Sequence, residues 1–288
     1  MKNRISIYTA IALIFTAITS SCLGDTPEPE NKASLTYGPV FNTITNTATG
    51  EVYYNNEIDY QLILDYVHAT FGLSQTDLKL NNSFQKHTIQ INDIPYTLDK
   101  TTLTATSSSP VAITAPTSLN ISNVLFKLTD RVINNNYNPL IQLTYTVNSN
   151  YEVVVTPVTC VFFGKLTSKN LATNESFTVT NVRTNVIFNP ETGVASIDLK
   201  GIKFVEAMPA LDMTFPGIGF DITTTGFTLA SDMLTPTIKD VPYPNYPISK
   251  LGATATLATG KMALKFNCTP RGMSEYEITL ECEPVPAE

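Results

Sequence analysis

The chain contains two histidines, His68 and His87, and these are the first candidates for acid-base or metal chemistry. Either role requires a partner within hydrogen-bond reach, and Asp65 and Asp93 are acidic residues close to them in sequence. The alternative is two unrelated histidines on the surface or on a strand. We favour that alternative because the chain has no phosphate-binding glycine loop, Gly-x-Ser-x-Gly elbow, zinc-protease motif or calcium loop. We therefore predict no catalytic residue, no metal site and no cofactor.

The N-terminus indicates export. A basic start at residues 1–4 precedes an uncharged apolar run at 5–19 and the residues Ser20-Ser21-Cys22, which is the pattern of a secretory signal peptide over residues 1–21. The segment before Cys22 resembles the lipobox of bacterial lipoproteins, and this resemblance implies lipidation of Cys22 and attachment to a membrane. The alternative is an ordinary signal peptide that ends near a cysteine.

Residues 22–33 are predicted to be an extended tether because they are acidic, contain Pro27 and Pro29 and show no apolar period. An acidic run after a lipidated cysteine resembles the surface-export signal of Bacteroidetes lipoproteins. The expected location is therefore the outer membrane, facing either the periplasm or the cell surface.

The charge balance argues against nucleic acid as a partner. Removing residues 1–21 changes the net charge from −7 to −9, because it deletes Lys2 and Arg4 and no acidic residue. Phosphate backbones are bound by clusters of lysine and arginine, and the sequence has none.

A proline-rich segment supplies the best candidates for ligand contacts. Val241-Pro242-Tyr243-Pro244-Asn245-Tyr246-Pro247 places Tyr243 and Tyr246 in a rigid loop, where little side-chain entropy is lost on binding. These rings could stack on a sugar or contact a protein. The alternative is a covering loop whose tyrosines pack on their own domain. The chain has no tryptophan, which disfavours a strong carbohydrate-stacking surface.

The elements that must position these residues occur twice. At a shift of 124 positions, residues 60–107 align without a gap on residues 184–231, and at a shift of 125, residues 151–155 align on 276–280. Apolar positions coincide and polar positions mostly differ. Self-similarity of this kind predicts two copies of one fold, here a first domain at 34–157 and a second at 158–288.

Alternation of apolar and polar residues predicts that both copies are built of half-buried strands. Turn residues at 189–193, 134–139 and 269–272 separate the runs. Residues 58–69 also fit a helical period. We predict a strand there because Leu62-Ile63-Leu64 aligns on Val186-Ile187-Phe188, which alternates and then enters the turn at Asn189.

Three cysteines other than Cys22 lie in the second copy: Cys160, Cys268 and Cys282. Disulfides are permitted in an exported protein. If the first and last strands of this copy are antiparallel neighbours, Cys160 and Cys282 approach each other, so we predict a disulfide between them, although spacing alone does not decide the pairing.

Three segments of the second copy resemble the calycin-like β-barrel domains of Bacteroidetes lipoproteins: residues 162–166, 193–204 and 215–218. The resemblance implies a lipocalin-like antiparallel barrel of about eight strands. Such domains are largely uncharacterised, so no site residue is carried over. The predicted fold is all-β, with two tandem antiparallel calycin-like barrels or sandwiches that arose by duplication.

We therefore expect a lipid-anchored, non-enzymatic protein of the cell envelope. It would bind a glycan, a lipid or an envelope protein through loops or the cleft between its domains. A structural or adhesive surface subunit is the alternative, and a hydrolase is the third possibility. A barrel of this size encloses either packed side chains or one small ligand, and packed interiors are the simpler expectation.

Overall fold

The structure is a computed structural model that describes residues 32–56, 58, 60–99, 102–108, 110–111, 119–129, 131–133, 136–137 and 139–283. The predicted signal peptide and Cys22 lie outside these residues. The described chain divides into two compact units, one ending at Thr156 and the other beginning at Pro157.

The prediction of an all-β fold is confirmed. Apart from a 3-10 turn at Pro270–Gly272, the regular elements of the described residues are strands. No helix in this part of the chain is long and apolar enough to cross a membrane. Residues 60–65, for which a helix was the alternative, form a strand.

The first unit contains a ten-stranded sheet that curls into a half-barrel, in the order β1-β4-β5-β6-β7-β8-β11-β12-β2-β3, and a separate hairpin of β9 and β10. Its strands are β1 (Lys32–Tyr37), β2 (Val40–Asn46), β3 (Val52–Asn55), β4 (Tyr60–Asp65), β5 (Thr70–Leu78), β6 (His87–Asp99), β7 (Thr102–Ser107), β8 (Ile121–Thr129), β9 (Val132–Ile133), β10 (Asn136–Tyr137), β11 (Leu140–Val147) and β12 (Tyr151–Pro157).

The second unit is a closed eight-stranded antiparallel barrel. Its ring runs β15-β14-β13-β22-β21-β20-β17-β16 and closes where β16 pairs with β15, and β18 and β19 extend from β16. Its strands are β13 (Thr159–Asn170), β14 (Ser176–Asn189), β15 (Val194–Ile202), β16 (Leu211–Thr223), β17 (Gly226–Leu234), β18 (Thr237–Ile238), β19 (Val241–Pro242), β20 (Ile248–Thr256), β21 (Lys261–Cys268) and β22 (Tyr276–Cys282).

The two units repeat the same strands at the spacing that the sequence predicts. Strands β5 and β15 begin and end at a shift of 124, and so do β6 and β16, while β12 and β22 share a shift of 125. Apolar alternation puts the same faces inward in both units, which is why the framework is shared although the surfaces differ.

The units differ in one hairpin. In the second unit, β13 and β14 are continuous, and their register shifts between Gly164 and Leu166. In the first unit each of the two equivalent strands is divided into two shorter strands. β1 and β2 lie on either side of Gly38-Pro39, and β3 and β4 lie on either side of residues 56–59. Proline has no N–H to donate, so the ladder cannot continue through Pro39. This break separates β1 and β4 from β2 and β3 and leaves the first sheet open there, whereas continuous β13 and β14 complete the ring of the second barrel.

Each unit also repeats a capped turn, which joins β2 to β3 in the first unit and β13 to β14 in the second. The Asn46 side chain accepts hydrogen bonds from the backbone N–H groups of Ala48 and Thr49, and the Asn170 side chain accepts them from Ala172 and Thr173. Asparagine suits this role because its short side chain reaches the backbone two or three residues on. The duplication therefore extends upstream of the region that the apolar pattern revealed.

Aromatic side chains fill the second barrel. Phe188 lies 5.1 Å from Phe220 and 5.0 Å from Phe227, and Phe215 lies 5.0 Å from Phe266, all in edge-to-face geometry. Each buried ring contributes roughly 1.5–3 kcal/mol by leaving water. A packed interior is what the sequence led us to expect, and we do not propose an apolar ligand inside this barrel.

The first unit has a polar cluster in its otherwise apolar core. The Tyr60 hydroxyl lies 2.8 Å from both Asn42 Oδ1 and Gln75 Oε1, and the Tyr145 hydroxyl also donates to Gln75. All four residues are buried. Burial raises the pKa of both tyrosines, so their hydroxyls stay protonated and act as donors. The strand register places mostly apolar residues at the equivalent positions of the second unit: Leu166, Thr184, Leu199 and Phe266.

Candidate functional site at one end of the second barrel

The connections at the two ends of the second barrel differ in length. At one end the strands are joined by short turns at 190–193, 224–225 and 257–260. At the other end the connections span 171–175, 203–210, 235–247 and 269–275, and we call this the long-loop end. Function often resides in loops that a rigid scaffold holds, and the closed barrel supplies such a scaffold here.

Exposed apolar side chains gather at the long-loop end. Six large hydrophobic residues of the described chain are exposed, and four of them lie on these loops or on the strand end beside them. We call the four the apolar rim: Leu171, Met233, Val241 and Met273. Their exposures run from 42% for Leu171 to 75% for Met233. Single exposed hydrophobic residues are ordinary, but several on one end of a barrel indicate an interaction surface.

Tyr243 and Tyr246, the two tyrosines that the sequence singled out, take different places. Tyr246 is 6% exposed, and its ring lies 6.3 Å from Phe204 and 5.2 Å from Tyr243. It packs on its own barrel and fixes the loop. Tyr243 is half-buried.

Arg271 joins the tyrosine loop to the next connection. Its guanidinium donates to the Tyr243 hydroxyl at 3.3 Å, and its backbone N–H donates to the Asn245 carbonyl at 2.6 Å. Its backbone is left-handed, with a φ of 48°. That conformation is strained for a residue with a side chain, and its neighbours hold it in place. The hydrogen bond to Tyr243 raises the pKa of Arg271, which keeps an exposed positive charge at this end.

A cavity of about 420 Å³ opens at the mouth of the barrel between these loops. We call it the mouth pocket. The buried residues Ser168, Phe204 and Tyr276 and the half-buried Phe177 line its inner part, and the exposed residues Glu175 and Glu206 line its edge. The wall is fixed by hydrogen bonds from Ser168 Oγ to the Phe204 carbonyl at 2.6 Å and from Asn170 Nδ2 to the Tyr276 hydroxyl at 3.3 Å.

No protein-family model matches this chain, and no curated protein sequence matches it. Several solved structures align with it, among them the following two. One is the isotype 1 transferrin-binding protein B from serogroup B Neisseria meningitidis, at 8% identity over 89% of this chain and 77% of that chain, with a TM-score of 0.24. The other is intact Ap-TbpB with its N and C lobes, at 9% identity over 89% and 79%, with a TM-score of 0.25. Scores this low support no argument about function.

The two histidines lie at opposite ends of β5. His68 is in the turn before this strand, where its Nδ1 lies 3.1 Å from Asp65 Oδ2, and its side chain is 72% exposed. His87 pairs with Leu78 at the far end of the strand and contacts Phe84. Within the described residues, the hydrogen bonds of His68 are with Asp65 and not with a Ser, Thr or Cys side chain. No group of three or more His, Cys, Asp or Glu is placed to hold a metal ion in this part of the chain.

The structure does not join Cys160 to Cys282, and Cys160, Cys268 and Cys282 are all buried thiols outside any disulfide. The first and last strands of the second unit do pair, as the prediction required. Their register, however, sets Cys282 opposite Gly164, four residues along β13 from Cys160. At about 3.3 Å per residue the offset is roughly 13 Å, which exceeds the reach of a disulfide.

The apolar rim was missed in the sequence because its four residues are far apart in the chain. A signal was present, since Leu171, Val241 and Met273 are apolar residues within turn-rich polar segments. Only the closure of the barrel brings these segments to one end.

Proposed function

We propose that this chain is a non-enzymatic binding protein of the cell envelope that engages a protein partner through the long-loop end of its second unit. The observation that carries the proposal is the apolar rim, set beside Tyr243 and the charged Arg271. Methionine, tyrosine and arginine are enriched in protein interfaces. A closed barrel holds these side chains in place before binding, so little conformational entropy is lost when the partner binds.

The surface favours a protein over a glycan or a lipid. A sugar platform needs an open aromatic face, and Tyr246 is buried while Tyr243 is engaged by Arg271. A lipid ligand would need an apolar cavity, and the interior of the second barrel is filled with phenylalanine side chains.

The test is a binding panel for the mature chain that covers envelope proteins, secreted host proteins, glycans and lipid vesicles. The key variant carries Val241→Ser and Met273→Ser. The matched control carries Val52→Ser and Val67→Ser, which remove two exposed valines of the first unit. We expect the rim variant to bind a purified protein partner at least about tenfold more weakly, a loss of about 1.4 kcal/mol, and the control to bind normally. Unchanged binding by the rim variant, or binding to glycans or lipids alone, would overturn the proposal.

We also propose that the protein is held to the outer membrane through a lipid on Cys22. The support is the sequence pattern before this cysteine. Metabolic labelling with a radioactive fatty acid should mark the intact protein and leave a Cys22→Ser variant unlabelled. The variant should also leave the membrane fraction, because acyl chains provide the attachment. A protein that stays unlabelled but membrane-bound would refute this anchor.

A structural or adhesive subunit is the second candidate, and the open sheet of the first unit favours it. Strands β1 and β3 end this sheet, and an end strand can accept a strand from another chain. Light scattering on the purified mature chain tests this role. Concentration-dependent polymers that disappear when β1 carries a proline would support it, and a monodisperse monomer would exclude it.

A further inference from the structure

The mouth pocket and the apolar rim form one continuous surface. Leu171 of the rim and Glu175 of the pocket edge belong to the same turn, and the Leu171 N–H donates to the Glu275 carbonyl at 2.9 Å. Glu275 immediately precedes Tyr276, which belongs to the pocket wall. A partner that covers Leu171 therefore lies next to the pocket.

The pocket combines aromatic walls with negative charge. Phe177 is half-buried and supplies the accessible aromatic wall, whereas Phe204 is 1% exposed and lies beneath the pocket. Both acidic side chains at the edge are exposed. In the described residues, no ion pair involves Glu175 or Glu206. The ammonium group of the neighbouring Lys203 donates to the backbone carbonyl of Glu206, at 2.9 Å.

The hydrogen bonds around the pocket leave its carboxylates available. Glu175 Oε2 accepts one bond, from the Thr173 hydroxyl at 3.2 Å. A carboxylate has two oxygens and about four acceptor positions, so most of this capacity faces outward.

We infer that the mouth pocket receives a lysine or arginine side chain of the protein partner, an inference that rests on the proposed function. The methylene stem of such a side chain would pack on Phe177, and its cation would meet Glu175 and Glu206 at the edge. The mouths of β-barrels are common binding sites, and 420 Å³ is ample for one long side chain. A buried anchor surrounded by apolar contacts is the arrangement of an interface hot spot.

The pocket can be tested without the partner. The probes are N-acetyl-lysine methylamide and N-acetyl-arginine methylamide, and N-acetyl-norleucine methylamide is the control with a similar stem and no charge. We expect the two charged probes to shift the amide resonances of Ser176, Phe177 and Glu206 with millimolar affinity. A variant with Glu175→Gln and Glu206→Gln should bind them at least about fivefold more weakly. Equal shifts with the norleucine probe, or no shifts with either charged probe, would overturn the inference.

The same variants separate this inference from the proposed function. The variant with Val241→Ser and Met273→Ser should lose the partner and keep the lysine probe, because neither residue lines the pocket. If it keeps the partner while the probe still binds, the proposed function fails and the pocket assignment stands. If it loses the partner but no charged probe binds the wild type, the pocket assignment fails alone. An unchanged amide spectrum outside the substituted loops shows that each variant is folded.

Discussion

Asp65 and Asn189 cap the same turn in the two units, one with a carboxylate and the other with an amide. Asp65 Oδ1 accepts the N–H groups of Val67 and His68, both at 3.0 Å. Asn189 Oδ1 accepts those of Glu191 and Thr192 at 3.1 and 3.2 Å. The repeat thus preserves the geometry of the cap and changes its charge.

This difference predicts that the turn of the first unit responds to pH and that its counterpart in the second unit does not. The backbone N–H of His68, followed by its side chain, lowers the pKa of Asp65 from 3.8 to about 2. A depressed folded pKa stabilises the native state above the unfolded value, and this contribution is lost as the pH falls from about 4 to about 2. An NMR titration should find the Asp65 midpoint near 2. Asp65→Asn should keep the turn and remove the titration. A midpoint near 3.8 in the native protein would contradict the prediction.

Ala69 occupies a position that glycine fills in the second unit. Its φ is 51°, and the equivalent Gly193 has a φ of 69°. A residue with a side chain loses roughly 1–2 kcal/mol of stability in the left-handed region. Glycine avoids this cost, but it also makes the unfolded chain more flexible, which offsets part of the gain. Ala69→Gly should therefore raise the free energy of unfolding by roughly 0.5–1 kcal/mol in urea titrations, and Gly193→Ala should lower it. The same sign for both substitutions would show that the two turns are not equivalent.

Gly164 allows β13 and β22 to approach each other closely. A Cβ atom at this position would lie 2.3 Å from the Glu281 carbonyl oxygen and 2.8 Å from Cys282 Sγ. The carbonyl belongs to the backbone of a central strand and cannot move easily, so Gly164→Ala should lower the stability by about 3 kcal/mol. Gly252→Ala is the matched control, because no atom lies within 4 Å of its Cβ position. Equal thermal denaturation midpoints for the two variants would refute this account.

The buried thiols should be unreactive in the native protein. Burial raises the pKa of Cys268 and of Cys282 to about 12. A thiol reacts as its thiolate, which is scarce at neutral pH when the pKa is so high. We expect a chromogenic disulfide reagent to label Cys160, Cys268 and Cys282 only after denaturation. A mass lower by two hydrogens before reduction would instead reveal a disulfide.

The Tyr60 hydroxyl should stabilise the polar core of the first unit. Tyr60→Phe removes a buried hydroxyl that lies 2.8 Å from both Asn42 Oδ1 and Gln75 Oε1, and the loss of such a buried hydrogen bond costs roughly 1–3 kcal/mol. Thr184→Val is the matched change at the equivalent position of the second unit, where the buried hydroxyl has no hydrogen-bond partner. It should be neutral or stabilising in the same unfolding assay. A Tyr60→Phe variant as stable as the wild type would show that the cluster contributes nothing.

The strands and their duplication were predictable because they depend on local alternation. Leu62 and Val186 point inward in both units for the same reason, namely that successive residues of a strand face opposite sides. The break at Gly38-Pro39 could be predicted only in part from the sequence. Proline indicates that the ladder stops, but whether a strand then bends, bulges or ends depends on its neighbours in the sheet.

The candidate site depended on information that the sequence does not contain. Tyr243 and Arg271 lie 28 positions apart, and their contact requires both the closed ring and the left-handed backbone at Arg271. The pairing of Cys160 and Cys282 failed for a related reason. The first and last strands of the second unit do pair, which was the condition for the disulfide. Register, however, is set by side-chain packing and bulges, and an offset of four residues holds the two thiols out of reach of each other.

The break in the first sheet also bears on how the protein would respond to force. Among the described residues, β1 joins the sheet through six residue pairs with β4, and its ladder stops at Tyr37 before β2 begins. If the chain is anchored through Cys22, a pull from the membrane side reaches the described residues at Lys32. It can strip β1 away without tearing β2 from its own neighbours. Under force, β1 would then detach first and lengthen the link to the membrane, while the rest of the sheet stays folded.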